Sequence, residues 1–313
     1  MKIKFENIKN TLRKIGRYGP YIPLSNVIIN YCGNFMTKRS IRRISNNRNR
    51  KIQKHLKPII RNIETPVNTD NKLLYDAKIW VCWLQGEDNL PPVAKLCISS
   101  IRKNANGHEV ILLTEKNYGD YVQLPEILIN RFERGQLKRA HFADIIRMNI
   151  LAQHGGLWLD STVLVTNPIP ETIFNADFFS IKTPEIGYYV SKCRWAVFAL
   201  ACKPNNIILT KVSEAFTQYL LSTDLFVDYF LFDHFIDILY QSVPKVRNLI
   251  DSIEYNNAKV HELNVLLTNS FDETKFKALT DDTYLFKLSN RSYSDDELNK
   301  AETFFSYLKA EYE

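Results

Sequence analysis

The chain has 313 residues, of which 45% are hydrophobic, 24% charged and only 10 are glycine. These values exclude a disordered chain, a glycine-rich or collagen-like repeat and a small disulfide scaffold. The formal net charge of +7 is unevenly spread: residues 1–62 hold 16 Lys and Arg against one acidic residue, Glu6, and the remainder is net −8, so basicity marks one segment and not the body.

From the N-terminus, Ile3 or Phe5, Ile8, Leu12 and Ile15 recur at helical spacing with Lys4, Lys9, Arg13, Lys14 and Arg17 between them. This predicts a basic amphipathic helix, stopped by Gly19-Pro20 and Pro23. A second basic stretch runs from Lys38 to Lys57. Residues 1–62 therefore read as a basic helical extension, either lying on anionic lipid headgroups or packed as an arm on protein. No motif that reads nucleic acid is present, and no nucleic-acid partner is expected. Residues 63–76 read as a polar linker, and 77–313 as the folded body. No run approaches the ~18 apolar residues needed to span a bilayer, and none of signal-peptide length follows Met1. Five cysteines, an odd number without a Cys-x-x-Cys pair, suit a reduced setting. The expectation is a cytoplasmic chain held peripherally at the cytoplasmic face of the membrane.

In the body, the short apolar run Lys78–Leu84 predicts a buried parallel strand. A helix over 93–103 and a strand at Val110–Leu113 complete a βαβ unit, the mark of an α/β sheet with sites at strand C-termini. Helices are expected at 125–134 and 140–153. Gly155-Gly156 suit a left-handed cap and a tight turn. Leu157–Asp160 reads as a strand, and Ser161–Thr166 as its continuation or a bent neighbour. Further strands are predicted at Phe178–Lys182, Trp195–Ala201 and Thr283–Leu288, with helices at 205–221 and 225–241. Ser294-x-x-Glu297 is a capping box opening a final helix.

Several polar residues stand out against this apolar background. Asp160 closes a strand at a turn, where a carboxylate either holds a divalent cation against a diphosphate or binds turn amides. Asp144 and Arg147, three apart on one helix, share a face. They read as an ion pair or as a grip on sugar hydroxyls and phosphate. Asp233, on a very apolar helix with Asp228 and Asp237, needs a partner; it is a structural hub or an active-site group. His234 beside it reads more readily as a core histidine. Phosphate loops of the Gly-x-Gly-x-x-Gly or Gly-x-x-x-x-Gly-Lys type and a Gly-x-Ser-x-Gly elbow are missing from the sequence.

Asp144-Ile-Ile-Arg147 followed by Gly155-Gly-Leu-Trp-Leu-Asp160-Ser-Thr-Val163 resembles the signature of the capsular polysaccharide synthesis protein family, related to glycosyltransferase family 32 and to the glucosylating bacterial toxins. The likeness runs from about Ile79 to Ser289 and leaves residues 1–62 outside. It implies a GT-A-type nucleotide-sugar-binding fold, a single Rossmann-like mixed sheet flanked by helices, and retaining transfer of a hexose. The donor would be a nucleotide sugar, UDP-linked by family habit, and the acceptor a lipid-linked saccharide of a cell-surface polysaccharide. Carried over, Asp144 and Arg147 hold the donor sugar, Asp160 faces ribose and metal, and Trp83 and Gln85 line the base. Lys287 and Ser289 are candidates for the diphosphate. Thr162 stands where related enzymes place the second Asp of Asp-x-Asp. A hydroxyl is a poorer ligand for Mg2+ or Mn2+ than a carboxylate, so the divalent cation rests on Asp160, with Asp233 as a candidate second ligand. A non-catalytic sugar-nucleotide binder and a basic-arm scaffold are the competing readings.

Overall fold

The computed structural model describes residues 5–63, 76–184 and 189–313; the expected linker falls almost wholly outside them. The basic segment folds as three helices: α1 (Phe5–Tyr18), α2 (Tyr21–Val27) and α3 (Lys38–Arg61). Gly19, at φ +79°, supplies the left-handed residue between the first two. A π turn (Ile28–Cys32) and a 3-10 turn (Gly33–Phe35) lead to Thr37, whose hydroxyl accepts from the Ser40 amide and caps α3.

The body then runs β1 (Ile79–Cys82), α4 (Pro92–Lys103), β2 (Val110–Leu113), α5 (Glu126–Glu133), α6 (Arg139–His154), β3 (Gly156–Leu159), β4 (Val163–Val165) and α7 (Glu171–Asn175). It continues with β5 (Phe178–Ser180), β6 (Ala199–Cys202), α8 (Ile207–Ser222), α9 (Leu231–Ser242), α10 (Pro244–Asp251) and α11 (Glu273–Thr280). The last elements are β7 (Leu285–Lys287), α12 (Asp295–Leu298) and α13 (Phe304–Tyr312). Five strands form a mixed sheet in the order β2-β1-β3-β6-β5. β1 pairs in parallel with β2 and β3, and β6 runs antiparallel to both β3 and β5. This is the mixed α/β sheet flanked by helices that the βαβ pattern and the family likeness lead one to expect. β4 and β7 form a separate antiparallel ribbon.

Period-two alternation sorts the central strands. Trp80, Trp158, Leu200 and Cys202 enter the core shared with α6, α8 and α9. Ile79, Val81, Leu157, Leu159, Ala199 and Ala201 enter the opposite one. Both faces are covered, which is why these strands read as unbroken apolar runs. Gly156 sits at φ +91°, and a Cβ there would meet the Lys78 carbonyl and, at 2.9 Å, Trp80 Nε1. The two glycines therefore let β3 close onto β1, with Trp80 Nε1 donating to Gly155 O at 2.8 Å.

The extension is helical as expected, and α3 is built into the fold. Ile52, Leu56 and Ile60 are 0, 0 and 2% exposed in the same core as α8 and α9. Burial at roughly 2 kcal/mol per large aliphatic side chain makes this a firm attachment. Gln53 donates to Asp237 at 2.6 Å and Lys211 to the Ile63 carbonyl at 2.6 Å. Tyr18 bonds Tyr219 at 2.8 Å. No helix among the described residues is long and apolar enough to cross a membrane.

Three expectations are corrected. The helix predicted over 225–241 begins only at Leu231. Asp228 instead accepts from the Tyr229 amide and shares a 3.0 Å hydrogen bond with His234, which holds the preceding segment off the helix. The predicted strand 195–201 is paired only from Ala199, because Ser180 Oγ takes up the Ala196 amide and carbonyl. The Ser294 capping box is present, but it opens the one-turn α12; a second box at Thr303 opens the final helix.

Candidate functional site

β1 and β3 are parallel and end side by side, so the residues following them share one edge of the sheet. Asp160 follows β3, and its amide donates to the Phe198 carbonyl at 2.9 Å. Trp158, two residues earlier and on the same face, donates its indole N–H to Asp160 Oδ1 at 3.0 Å. Arg147 comes from α6, which packs on β3. Its Nη2 lies 2.6 Å from Asp144 Oδ1 and 3.7 Å from Asp160 Oδ1, and its Nη1 donates to Val197 O at 2.5 Å. The guanidinium also faces the Trp158 ring at 5.1 Å. One buried arginine thus joins the two carboxylates.

The opposite wall comes from the C-terminal ribbon. Lys287 pairs with Val163 in the β4–β7 register. Its Nζ donates to Asp160 Oδ2 at 3.0 Å and to Thr162 Oγ1 at 2.5 Å. The side chains of Asp144, Asp160 and Lys287 are 25, 29 and 24% exposed, so the charged cluster opens to solvent. Burial acts to raise the Asp160 pKa, but the charges of Lys287 and Arg147 and the hydrogen bonds from Trp158 and Lys287 outweigh it and hold it at about 2. Cys82, at the end of β1, lies within the field of Arg147, Asp160 and Asp144, and burial pushes its thiol up to about 12.

Asp144, Arg147, Asp160, Thr162 and Lys287 are therefore brought together. Asp233 is near but apart. It accepts from Trp195 Nε1 at 2.9 Å, and burial, partly offset by that bond and by the charges of His234 and Arg147, raises it to about 6. Its neighbour Phe232 lies 6.0 Å from the Arg147 guanidinium. Trp83 and Gln85 lie on the loop after β1, at the same sheet edge. There the Trp83 indole donates to Asn89 O, and the Gln85 carbonyl accepts from Asn89. Ser289 lies just beyond Lys287 and accepts from the Arg291 amide at 3.2 Å. Ser289 and the β1 loop thus bond to their own neighbours and not to the charged cluster. Sequence reasoning gives Trp158, Phe232 and Trp195 no role in the site, although Trp158 belongs to the motif; its period-two relation to Asp160 is the available signal.

A divalent ion here would need carboxylate or similar oxygen ligands. Asp160 offers one carboxylate, with Oδ1 engaged by Trp158 and Oδ2 by Lys287. Thr162 is neutral, and among the described residues no group of three His, Cys, Asp or Glu side chains gathers to hold an ion. The donor set suits a monovalent ammonium better than a divalent metal.

Over 152 residues the chain is 22% identical to "Subversion of eukaryotic traffic protein A" of Legionella pneumophila, covering 49% of this chain and 22% of that protein. Over 131 residues it is 26% identical to "O-glycosyltransferase braB" of Annulohypoxylon truncatum, covering 39% of this chain and 30% of that protein. The chain thus spans under a third of the length of these curated relatives. Among solved structures it is similar to "PaToxG Glycosyltransferase", with 15% identity over 87% of this chain and 97% of that one, at a TM-score of 0.39. A family match covers residues 33–308 and so reaches further than the likeness read from the motifs, taking in α3 of the basic segment. The chain belongs to the capsular polysaccharide synthesis protein family, a glycosyltransferase-like family.

Proposed function

We propose that the chain is a GT-A-type glycosyltransferase that moves a hexose, with retention, from a UDP-linked donor to a lipid-linked saccharide acceptor of a cell-surface polysaccharide. The observation that carries this reading is the convergence of Asp144, Arg147, Asp160 and Lys287 at one edge of the sheet. Asp144 and Arg147 form a fixed, partly open acceptor-donor pair suited to sugar hydroxyls. Arg147, held by Val197 O and the Trp158 face, costs no reorganisation when charge develops beside it. Asp160 is ionised throughout the neutral range, as a group that favours an oxocarbenium-like sugar must be. Trp83 and Gln85, on the adjoining loop, would line the base, and Ser289 would contact the diphosphate.

The test is a thermal-shift panel of nucleotide sugars, followed by release of nucleoside diphosphate. One donor class should stabilise the protein, and Asp160→Asn should reduce its turnover by about 100-fold. Failure of every donor to bind would reject the reading.

For the acceptor side, we infer contact with an anionic lipid surface. Leu24, Val27, Ile28, Tyr31 and Phe35 are exposed, Phe35 at 92%, and Arg48 of α3 bonds Asn26 among them. Arg42 and Arg50 also line a cleft of about 400 Å³ with Lys192. Apolar side chains beside arginines match an interface of acyl chains under anionic headgroups. Because α3 is part of the core, the test uses point variants. Phe35→Ser with Tyr31→Ser should abolish flotation with anionic vesicles, and unchanged flotation would refute the contact.

A further inference from the structure

We propose that Lys287 is the resident cation of this site: its ammonium, held at once by Asp160 and Thr162, does the work of a divalent metal, and sugar transfer runs without one. The inference rests on the glycosyltransferase reading and deepens it. It begins with a charge balance. Two carboxylates around a divalent ion sum to zero. One carboxylate, one hydroxyl and one ammonium also sum to zero. Thr162 in place of a second Asp is thus the residue an internal ammonium calls for, and Lys287 Nζ reaches both motif positions, at 3.0 Å from Asp160 Oδ2 and 2.5 Å from Thr162 Oγ1.

The placement is built into the fold on both sides of the lysine. β7 is paired with β4 in the register Val163↔Lys287. The Leu288 amide donates to Thr162 O at 2.8 Å and the Lys287 amide to Val260 O at 2.7 Å. The same threonine therefore fixes the ribbon through its carbonyl and the ammonium through its hydroxyl. Phe198 flanks the ammonium at 5.4 Å. The side chain stays 24% exposed, so Nζ can turn a free proton outward to substrate.

In the transfer, the bond from the sugar C1 to the β-phosphate oxygen breaks, and its electron pair leaves on that oxygen. The acceptor hydroxyl oxygen forms the new bond to C1, and its proton passes to the departing phosphate oxygen. Lys287 gives up no proton. It donates to the diphosphate and offsets the charge gathering there, while Arg147 lies across Asp160 as a second fixed cation.

The experiment uses the full chain, freed of metal with EDTA, and the nucleotide-sugar panel. Wild-type donor binding and nucleoside diphosphate release should agree within about twofold in EDTA and in Mn2+ or Mg2+, since no step draws on an added ion. Lys287→Met, which keeps the stem and removes the charge, should lose about 100-fold in release. Lys287→Arg, which keeps a charge in altered geometry, should lose no more than about 10-fold. Wild-type turnover that stops in EDTA and returns with Mn2+ would overturn the role of Lys287 while leaving the transferase reading intact. Undiminished turnover by Lys287→Met would do the same. If no donor binds under any condition, the transferase reading fails, and this inference with it. Should Lys287→Met not fold, as judged by its melting curve, the wild-type comparison in EDTA decides alone.

Discussion

Asp160→Asn tests the electrostatic account of the site through stability alone. The side chain titrates at about 2 in the fold, against an ordinary value of 3.8. Burial opposes that shift, and the charges of Lys287 and Arg147 together with the hydrogen bonds from Trp158 and Lys287 overcome it. At about 1.4 kcal/mol per tenfold, the difference is roughly 2.4 kcal/mol. Solvent reaches 29% of the side chain, and screening leaves about 1–2 kcal/mol. Because the folded pKa is depressed, this stability is fully present above the unfolded value and is lost as pH falls through the folded one. Asn keeps the acceptor for the Trp158 N–H but carries no charge. Urea unfolding of both proteins from pH 7 to pH 3 should therefore show a gap of about 1–2 kcal/mol at neutral pH, about half of it gone by pH 3. A gap that stays constant with pH would refute the claim that ionisation of Asp160 is what Lys287 and Arg147 reward.

Asp233 should behave in the opposite sense. Burial raises it to about 6, so its ionised form costs the fold stability at pH 8 and little below its ordinary value of 3.8. Asp233→Asn, which can still accept from Trp195, should melt higher than wild type at pH 8, with most of that gap gone by pH 4. Gly156→Ala should cost about 3 kcal/mol in urea unfolding, because a Cβ at φ +91° runs into the Lys78 backbone. Leu56→Ala should cost about 2–5 kcal/mol, since Leu56 is 0% exposed; a loss under 1 kcal/mol would mean that α3 is not part of the core. The same melts on Arg43→Ala, an exposed residue of that helix, should differ from wild type by no more than about 0.5 kcal/mol.

Much of the sheet was legible in the residues. Val110–Leu113 was read with its observed bounds, because an apolar run between turn signals admits little else at that length. The Gly155-Gly156 turn and the shared face of Asp144 and Arg147 follow from local geometry alone, and so were readable. What could not be read depends on partners distant in the chain. Residues 225–230 look helical by composition, yet Asp228 is drawn to His234 and lies 3.8 Å from Arg48 of α3. The embedding of α3 shows nothing in its local charge pattern, since Ile52, Leu56 and Ile60 are few among many basic residues. The link from Lys287 to Asp160 spans 127 positions. Only the β4–β7 register, a product of the finished fold, makes it visible.

That ribbon has a consequence for biosynthesis. The acidic half of the cluster is encoded by residue 160, while its counter-charge arrives at residue 287 with the strand that carries it. A growing polypeptide halted near residue 280 would hold a naked carboxylate beside a single arginine and lack β7 altogether. The charge balance of the cluster is thereby completed only once β7 has been made and paired with β4.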